Sequence, residues 1–274
     1  MKDTAGTLNF QRFSAQAELL RRSFEHADPI RHVIIEDFLN PELAVQAARA
    51  FPDPAEMQIA FGGLPEVKNA EQRIDRLHPV FQDIFHELRS ERFITWLGEV
   101  TQFENLSADP DLHGGGLHQG SNGSYLDIHA DFNIHPQLGL YRRLNVLIYL
   151  NETWRPQWQG YLELWSRDMK ECRQYIEPKF NRCVIMETHD HSYHGYKELH
   201  LPAGVTRRSL ASYYYSTAKS EAQAEDEHDT LFQLRPEQQR ATGARQFFRR
   251  MNALAPERLR PVVRALRALL GIAE

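Results

Sequence analysis

Cysteine is scarce in this chain: Cys172 and Cys183 are the only two among 274 residues. Two thiols cannot build a disulfide framework, so a reducing, cytoplasmic setting is expected. Long apolar runs are missing as well. No stretch approaches the roughly 18 apolar residues of a membrane span, and the opening MKDTAGTLNFQRF lacks the apolar core of a secretory signal. Internal repeats are not visible. The glycine-rich run HGGGLHQGSNGS, residues 113–124, could suggest a phosphate cradle, but it lacks the Lys-Ser/Thr ending and leads into a strand pattern. It is expected to be a loop, either mobile over a site entrance or a plain connector.

What is present is ordinary globular material, 42% hydrophobic and 25% charged, enough for one large domain or two small ones. The formal net charge of −5 is unevenly spread. From Arg235 onwards nine arginines face only Glu237, Glu257 and Glu274, a net of +6, so the remainder carries −11. An acidic body argues against nucleic acid as its partner. The basic tail carries an apolar stripe, Leu259, Val262, Val263, Leu266, Leu269 and Leu270, with Pro261 suited to a first helical turn. Such a helix packs on the acidic body or on a second copy of the chain, or lies on an anionic membrane surface. The body's opposite charge favours packing.

Residues 1–109 read mainly as helix and are expected to form a support region. Phe13, Ala17, Leu20 and Phe24 have helical spacing, and His26-Ala27-Asp28-Pro29 ends that element. HVIIEDF is a short β-branched strand, after which Asn40 caps a helix with Pro41 in its first position. The spacing of Val80, Ile84, Leu88, Phe93 and Leu97 predicts one further helix over 78–100. From 110 to 217 the texture changes to short alternating segments parted by turns: YLDIHAD, RRLNVLIYLN, GYLELWS, CRQYIEP, RCVIMET and SLASYYYS. That is the pattern of a sandwich or barrel. Residues 218–230 read as a polar linker before the tail, which completes a third region, 218–274.

In the first of these segments Asp127, His129 and Asp131 stand at alternate positions and share one face. Solvent explains that cheaply; a metal ion explains it chemically. His-x-Asp occurs twice in the chain. His26-Ala27-Asp28 lies at a helix end before a proline and is read as noise. His129-Ala130-Asp131 lies in a strand, where ligands at i and i+2 can grip adjacent corners of one ion. A third ligand must come from elsewhere, and METHDHSYHG offers His189, His191 and His194. Two histidines and a carboxylate, leaving three positions open, are the set of non-haem iron(II) oxygenases; zinc can use the same ligands. Arg207 and Ser209 share a face of TRRSLASYYY. An arginine inside an apolar strand needs an anion, and its planar fork suits a carboxylate, to which Tyr149 could add a hydroxyl. The plain alternative is an internal salt bridge to Asp127 or Glu163. His118, Gln119, Asn133, His135, Trp154 and Trp165 are candidates for lining the approach.

Taken in order, IHADFN, RRLNVLIYLNETW, QGYLEL, IEPKFNRCVIM, YHGY and TRRSLASYYY resemble the iron(II)- and 2-oxoglutarate-dependent oxygenases of the prolyl 4-hydroxylase type, across residues 110–216. The resemblance implies an α+β fold whose core is a double-stranded β-helix, a cupin-like jelly-roll, with supporting helices outside. It implies Fe(II) on His129, Asp131 and His194, and the distal carboxylate of 2-oxoglutarate on Arg207, with Tyr149 and Ser209 beside it. Dioxygen is the other cosubstrate and ascorbate an optional reductant. The implied activity is hydroxylation of an unactivated C–H bond, coupled to decarboxylation of 2-oxoglutarate to succinate and CO2, on a prolyl residue or on a small metabolite or sugar. Asp131 argues against a halogenase, which vacates the carboxylate position for chloride. Gln159-Gly160 stands where the family has Gly-Gly. Arg208 follows Arg207 directly, so the choice between them rests on strand parity. His194 leads over His189 and His191 because it immediately precedes Gly195. The rival readings are a jelly-roll metal-binding protein and another metal-dependent enzyme, both without 2-oxoglutarate turnover.

Overall fold

Asn9 starts the first helix by accepting a hydrogen bond from the Arg12 N–H, and α1 (Phe10–Glu25) then buries Phe10, Phe13, Leu20 and Phe24 on one face. This is a computed structural model, and it describes residues 6–63, 65–217 and 227–239, with Val262 and Leu266. Strand β1 (His32–Ile35) and helix α2 (Pro41–Arg49) follow, the latter capped by Asn40, whose side chain accepts from the Glu42 N–H. Next comes a hairpin that the sequence pattern did not suggest, β2 (Ile59–Gly63) and β3 (Glu66–Glu71). The single helix expected over 78–100 is two, α3 (Pro79–Leu88) and α4 (Glu91–Thr101). Ser90 is the reason: its hydroxyl accepts the Phe93 N–H, capping a new helix two residues after the old one ends.

The remaining elements are strands: β4 (Ser107–Ala108), β5 (Gly116–Gly120), β6 (Tyr125–Ala130), β7 (Tyr141–Tyr149), β8 (Leu162–Trp165), β9 (Cys172–Ile176), β10 (Arg182–Glu187), β11 (His194–Tyr196), β12 (Arg207–Ser216) and β13 (Leu231–Gln233). β5 falls inside the glycine-rich run expected to be a loop. It pairs with β12 and β3, and a Cβ on Gly116 would meet the Glu71 carbonyl oxygen at 2.1 Å. The glycine therefore permits two backbones to approach, and does not mark a loop.

The described strands form one curled antiparallel sheet, in the order β1-β10-β7-β12-β5-β3-β6-β11-β8-β9, with β2 on β3, β4 on β12 and β13 on β6. This is a jelly-roll. Alternation assigns its two faces. On β7, Leu144, Val146 and Ile148 join the apolar core beneath the helices, while Asn145, Leu147 and Tyr149 line a cavity. On β12, Leu210 and Tyr214 face the core; Arg207, Ser209 and Tyr213 face the cavity. In the core Phe13 stacks on Phe38 and Trp96 at 5.3 and 5.2 Å, and burying each such ring stabilises the fold by about 1.5–3 kcal/mol. Those contacts hold the helices against the back of the sheet, which leaves the other face for chemistry.

The segment before residue 110 is thus not helix alone, since β1, β2 and β3 belong to the sheet. The chain divides into two compact units, residues 1–232 and 233–274. In the second, the Arg235 N–H donates to Gln238 Oε1 and the Gln239 N–H to the Arg235 carbonyl. Val262 and Leu266 are helical and exposed, 62% and 48%. The other stripe positions, Leu259, Val263, Leu269 and Leu270, lie outside the described residues, as does 218–226 of the linker. No helix among the described residues is long and apolar enough to cross a membrane.

Candidate metal centre

Strand register brings the two histidines together. β11 pairs antiparallel with β6 so that His194 lies directly opposite His129, and their rings are 4.3 Å apart. Asp131 follows one residue after β6 ends and turns its carboxylate between them. His129 Nε2 lies 3.6 Å from Asp131 Oδ1, and His194 Nε2 lies 3.6 Å from Asp131 Oδ2. Donor atoms of the three residues all lie within 4.8 Å of one another. Ligands about 2.1 Å from one ion and at right angles to each other stand about 3 Å apart, so small side-chain shifts fit this set to a first-row metal. The histidine nitrogens face the right way. His129 Nδ1–H donates to the Asp127 carbonyl at 2.9 Å and His194 Nδ1–H to the Ser192 carbonyl at 2.8 Å, leaving each Nε2 lone pair toward Asp131. Burial, with His129 nearby, pushes His194 down to about 4, so its ring is neutral and able to ligate at neutral pH.

Asp131 is itself held. Asn145 Nδ2–H donates to Asp131 Oδ2 at 2.8 Å, and Arg142 Nη2 lies 3.3 Å from the same oxygen. The Arg142 guanidinium donates through Nε and Nη2 to Asn145 Oδ1 at 3.0 and 2.8 Å. It is clasped between the Phe132 and Tyr213 rings, 4.7 and 3.5 Å from their centres. Burial pushes the Asp131 carboxyl up, but Arg142 and the two histidines more than offset this and hold it well below the usual carboxylate range. A permanently ionised, oriented carboxylate results. Neither Arg142 nor Asn145 was singled out from the sequence, although the reasoning applied to Arg207, that an arginine in an apolar strand needs an anion, applies equally to Arg142.

Arg207 lies in the same cavity, of about 670 Å³, as the three convergent side chains. Its Nε–H donates to the Gly160 carbonyl at 2.8 Å and its Nη2 reaches the Tyr149 hydroxyl at 3.5 Å. Tyr149 and Tyr196 flank the guanidinium at 5.0 and 4.3 Å. Burial raises both phenols, Tyr196 to about 12, so both stay protonated. Among the described residues no carboxylate lies within ion-pair distance of Arg207. The expected alternative, a salt bridge to Asp127 or Glu163, is absent; Glu163 instead accepts from the Trp165 indole N–H. Arg208 points the opposite way, donating to the Ala48 carbonyl and to the Thr206 hydroxyl, each at 3.0 Å. Gly160 makes the Arg207 contact possible. At φ +70° its missing side chain leaves room for Arg207 Cδ and the Leu199 side chain, while Gln159 before it adopts a positive φ of 58°.

Ser209, His118 and Gln119 line the cavity; Asn133, His135, Trp154 and Trp165 do not. Asp127 shares the strand but is not in the convergent group; its backbone carbonyl accepts from His129. His189 and His191 stay outside the convergent group, the His191 N–H donating to His189 Nδ1. Burial and Lys68 push His118 down to about 3. The hairpin residues Phe61 and Lys68 also line the cavity, and so does Phe232, whose ring is 5.4 Å from that of His129. The hairpin falls in a stretch read mainly as helix and β13 starts just past the linker of 218–230, so these three carried no sequence signal.

Residues 115–215 match the model of the 2OG-Fe(II) oxygenase superfamily. A search of curated proteins gives no match. Among solved structures, the chain is similar to a prolyl hydroxylase from Trichoplax adhaerens in complex with a hypoxia inducible factor oxygen degradation domain peptide fragment: TM-score 0.56, 15% identity, 79% of this chain and 96% of that one. A Pseudomonas putida prolyl-4-hydroxylase gives TM-score 0.53 at 15% identity over 72% and 99%. A prolyl 4-hydroxylase from Phytophthora capsici gives 0.51 at 16% over 79% and 68%. At such identities the structural likeness establishes the shared jelly-roll; the family match bears on the chemistry.

Proposed function

We propose that the protein, whose residues 115–215 match the 2OG-Fe(II) oxygenase superfamily, hydroxylates an unactivated C–H bond through His129, Asp131 and His194 as the iron ligands and Arg207 as the anchor of 2-oxoglutarate. One observation carries this reading: three convergent ligands and an arginine without an acidic partner among the described residues face a single cavity. When bound, iron(II) with 2-oxoglutarate supplies activation of dioxygen and an oxidative decarboxylation, to succinate and CO2, that drives hydroxylation. The chain's own residues do the positioning. His129 and His194 offer their Nε2 lone pairs, and Asp131, pinned by Asn145 and Arg142, supplies the negative charge of the ligand set. Arg207 receives the distal carboxylate with the protonated Tyr149 hydroxyl, and Ser209 lies beside them on the same strand face. Apolar Leu147 and Leu162 line the same cavity and reduce access of bulk water. The substrate is a prolyl residue or a small metabolite such as an amino acid or sugar; the prolyl option draws on the likeness to prolyl hydroxylases.

Anaerobic titration of the chain with Fe(II), then 2-oxoglutarate, tests the reading. A weak visible charge-transfer band and, on admitting oxygen, succinate release are the expected results. Tight metal binding with neither signal would favour a metal-binding jelly-roll or another metal-dependent enzyme.

A further inference from the structure

Residues 227–232 lie beyond the oxygenase domain in sequence, yet Glu227, His228, Asp229, Thr230 and Phe232 all line its cavity. The segment is fastened there. The His228 N–H donates to Asn133 Oδ1 at 3.0 Å, His228 Nε2 lies 3.1 Å from Asp190 Oδ1, and β13 pairs with β6. The pairing has a consequence for β6, which has two edges. β11 takes one, through His194 opposite His129 and Tyr196 opposite Leu126. β3 takes the start of the other, through Val67 opposite Tyr125 and Glu66 opposite Leu126. The Phe232 ring on β13 lies 5.4 Å from that of His129, so β13 takes the rest of that second edge, toward Ala130.

We infer that residues 227–232 are a built wall of the substrate cavity, that Phe232 limits access to the metal ligands, and that the site takes a small polar molecule and not a stretch of polypeptide. This rests on the hydroxylase reading above. An extended polypeptide is commonly recognised by adding its backbone to an unpaired strand edge. Both edges of β6 at the ligands are already paired within the chain. The cavity of about 670 Å³ lies within the range of small-molecule sites, about 300–1,000 Å³, and 2-oxoglutarate on Arg207 takes part of it. The space that remains is bounded by Phe232, Phe61 and Phe132 and by polar groups, His113, His118 and the Lys68–Glu66 pair at 2.8 Å. Such walls suit a compact metabolite with hydrogen-bonding groups around an aliphatic centre.

Two measurements on the full chain test this. The first is hydrogen exchange with and without Mn(II) and 2-oxoglutarate. Amides of Leu231 and Phe232 are expected to exchange about 100-fold or more slowly than in an unstructured chain, in both states. Exchange at the unstructured rate overturns the wall. The second loads the chain with Mn(II) and 2-oxoglutarate and measures paramagnetic proton relaxation of two probes, N-acetyl-prolinamide and an extended peptide carrying the same prolyl unit at its centre. The small probe is expected to relax faster than with a zinc-loaded chain and the peptide is not; Leu231→Pro with Phe232→Ala should admit the peptide. Equal relaxation of both probes by the native chain, or of neither, overturns the small-substrate assignment. Failure of Mn(II) to bind would instead defeat the hydroxylase reading, and the exchange rates would still decide the wall.

Discussion

Asp131 concentrates the electrostatics of the site, because it is the residue that both histidines, Asn145 and Arg142 address. Substituting His129, Asp131 or His194 by Ala should abolish succinate formation and strip the iron while circular dichroism stays native, since the main apolar core includes none of the three. His191→Ala should keep both iron and turnover; the reverse result would transfer the ligand role to His191. Arg142→Leu should weaken metal binding about 10–100-fold, the usual cost of losing a group that orients a ligand. Calorimetric titration with Mn(II) checks it, and unchanged affinity would show that Asn145 alone suffices. Arg207→Ala removes a charge-assisted pair worth about 1.5–3 kcal/mol, so the 2-oxoglutarate requirement should rise about ten- to hundredfold. Arg208→Ala should leave it nearly unchanged, because that side chain reaches Ala48 behind the sheet.

At the scale of elements the site depends on strand-to-strand approach. β5 fits between β12 and β3 because Gly116, at φ +91°, presents no side chain toward the Glu71 carbonyl. Gly123, at φ +82°, has open space around it. Gly116→Ala must therefore both strain the backbone and push β3 away, while Gly123→Ala only strains the backbone. The first should cost clearly more than the about 1 kcal/mol of a simple glycine replacement, and the second about that amount. Thermal melts of the two variants decide it; equal losses would mean that β3 moves aside freely. The hairpin β2–β3 would be the first casualty of such a shift, and with it the wall that carries Phe61 and Lys68.

For the whole molecule, neutral histidines that are buried or half-buried, His32 and His118, link stability to pH. Burial lowers His32, and burial with Lys68 lowers His118 to about 3. In the unfolded chain both titrate near 6.5. The unfolded state thus binds more protons below that pH, and stability that is complete above pH 6.5 declines as pH falls toward 3. The urea midpoint of the metal-free protein should be lower at pH 5 than at pH 7.5, and His118→Asn should shrink the difference. A difference unaltered by that substitution would remove His118 from the account.

Much of this protein was legible in the sequence wherever the deciding physics is local. Alternation identified β6, β7, β10 and β12 because a half-buried strand repeats every second residue. Strand parity separated Arg207 from Arg208 for the same reason, and Asn40 marked its helix start through a hydrogen bond only two residues long. His129 and Asp131 are close in sequence, so their pairing could be expected before any fold was known. The helix break at Ser90 was local too, but a capping serine inside an amphipathic run reads as a continuing helix. What only the tertiary structure decided involves partners distant in the chain. His194 opposite His129 is a register between strands, Arg142 and Asn145 on Asp131 is a meeting of β7 with the end of β6, and Phe232 reaches the site through an edge that β3 leaves unpaired. Gly116 belongs to the same class. A glycine-rich run describes the freedom of its own backbone, whereas the strand it became was fixed by the Glu71 carbonyl against it, 45 residues earlier in the chain.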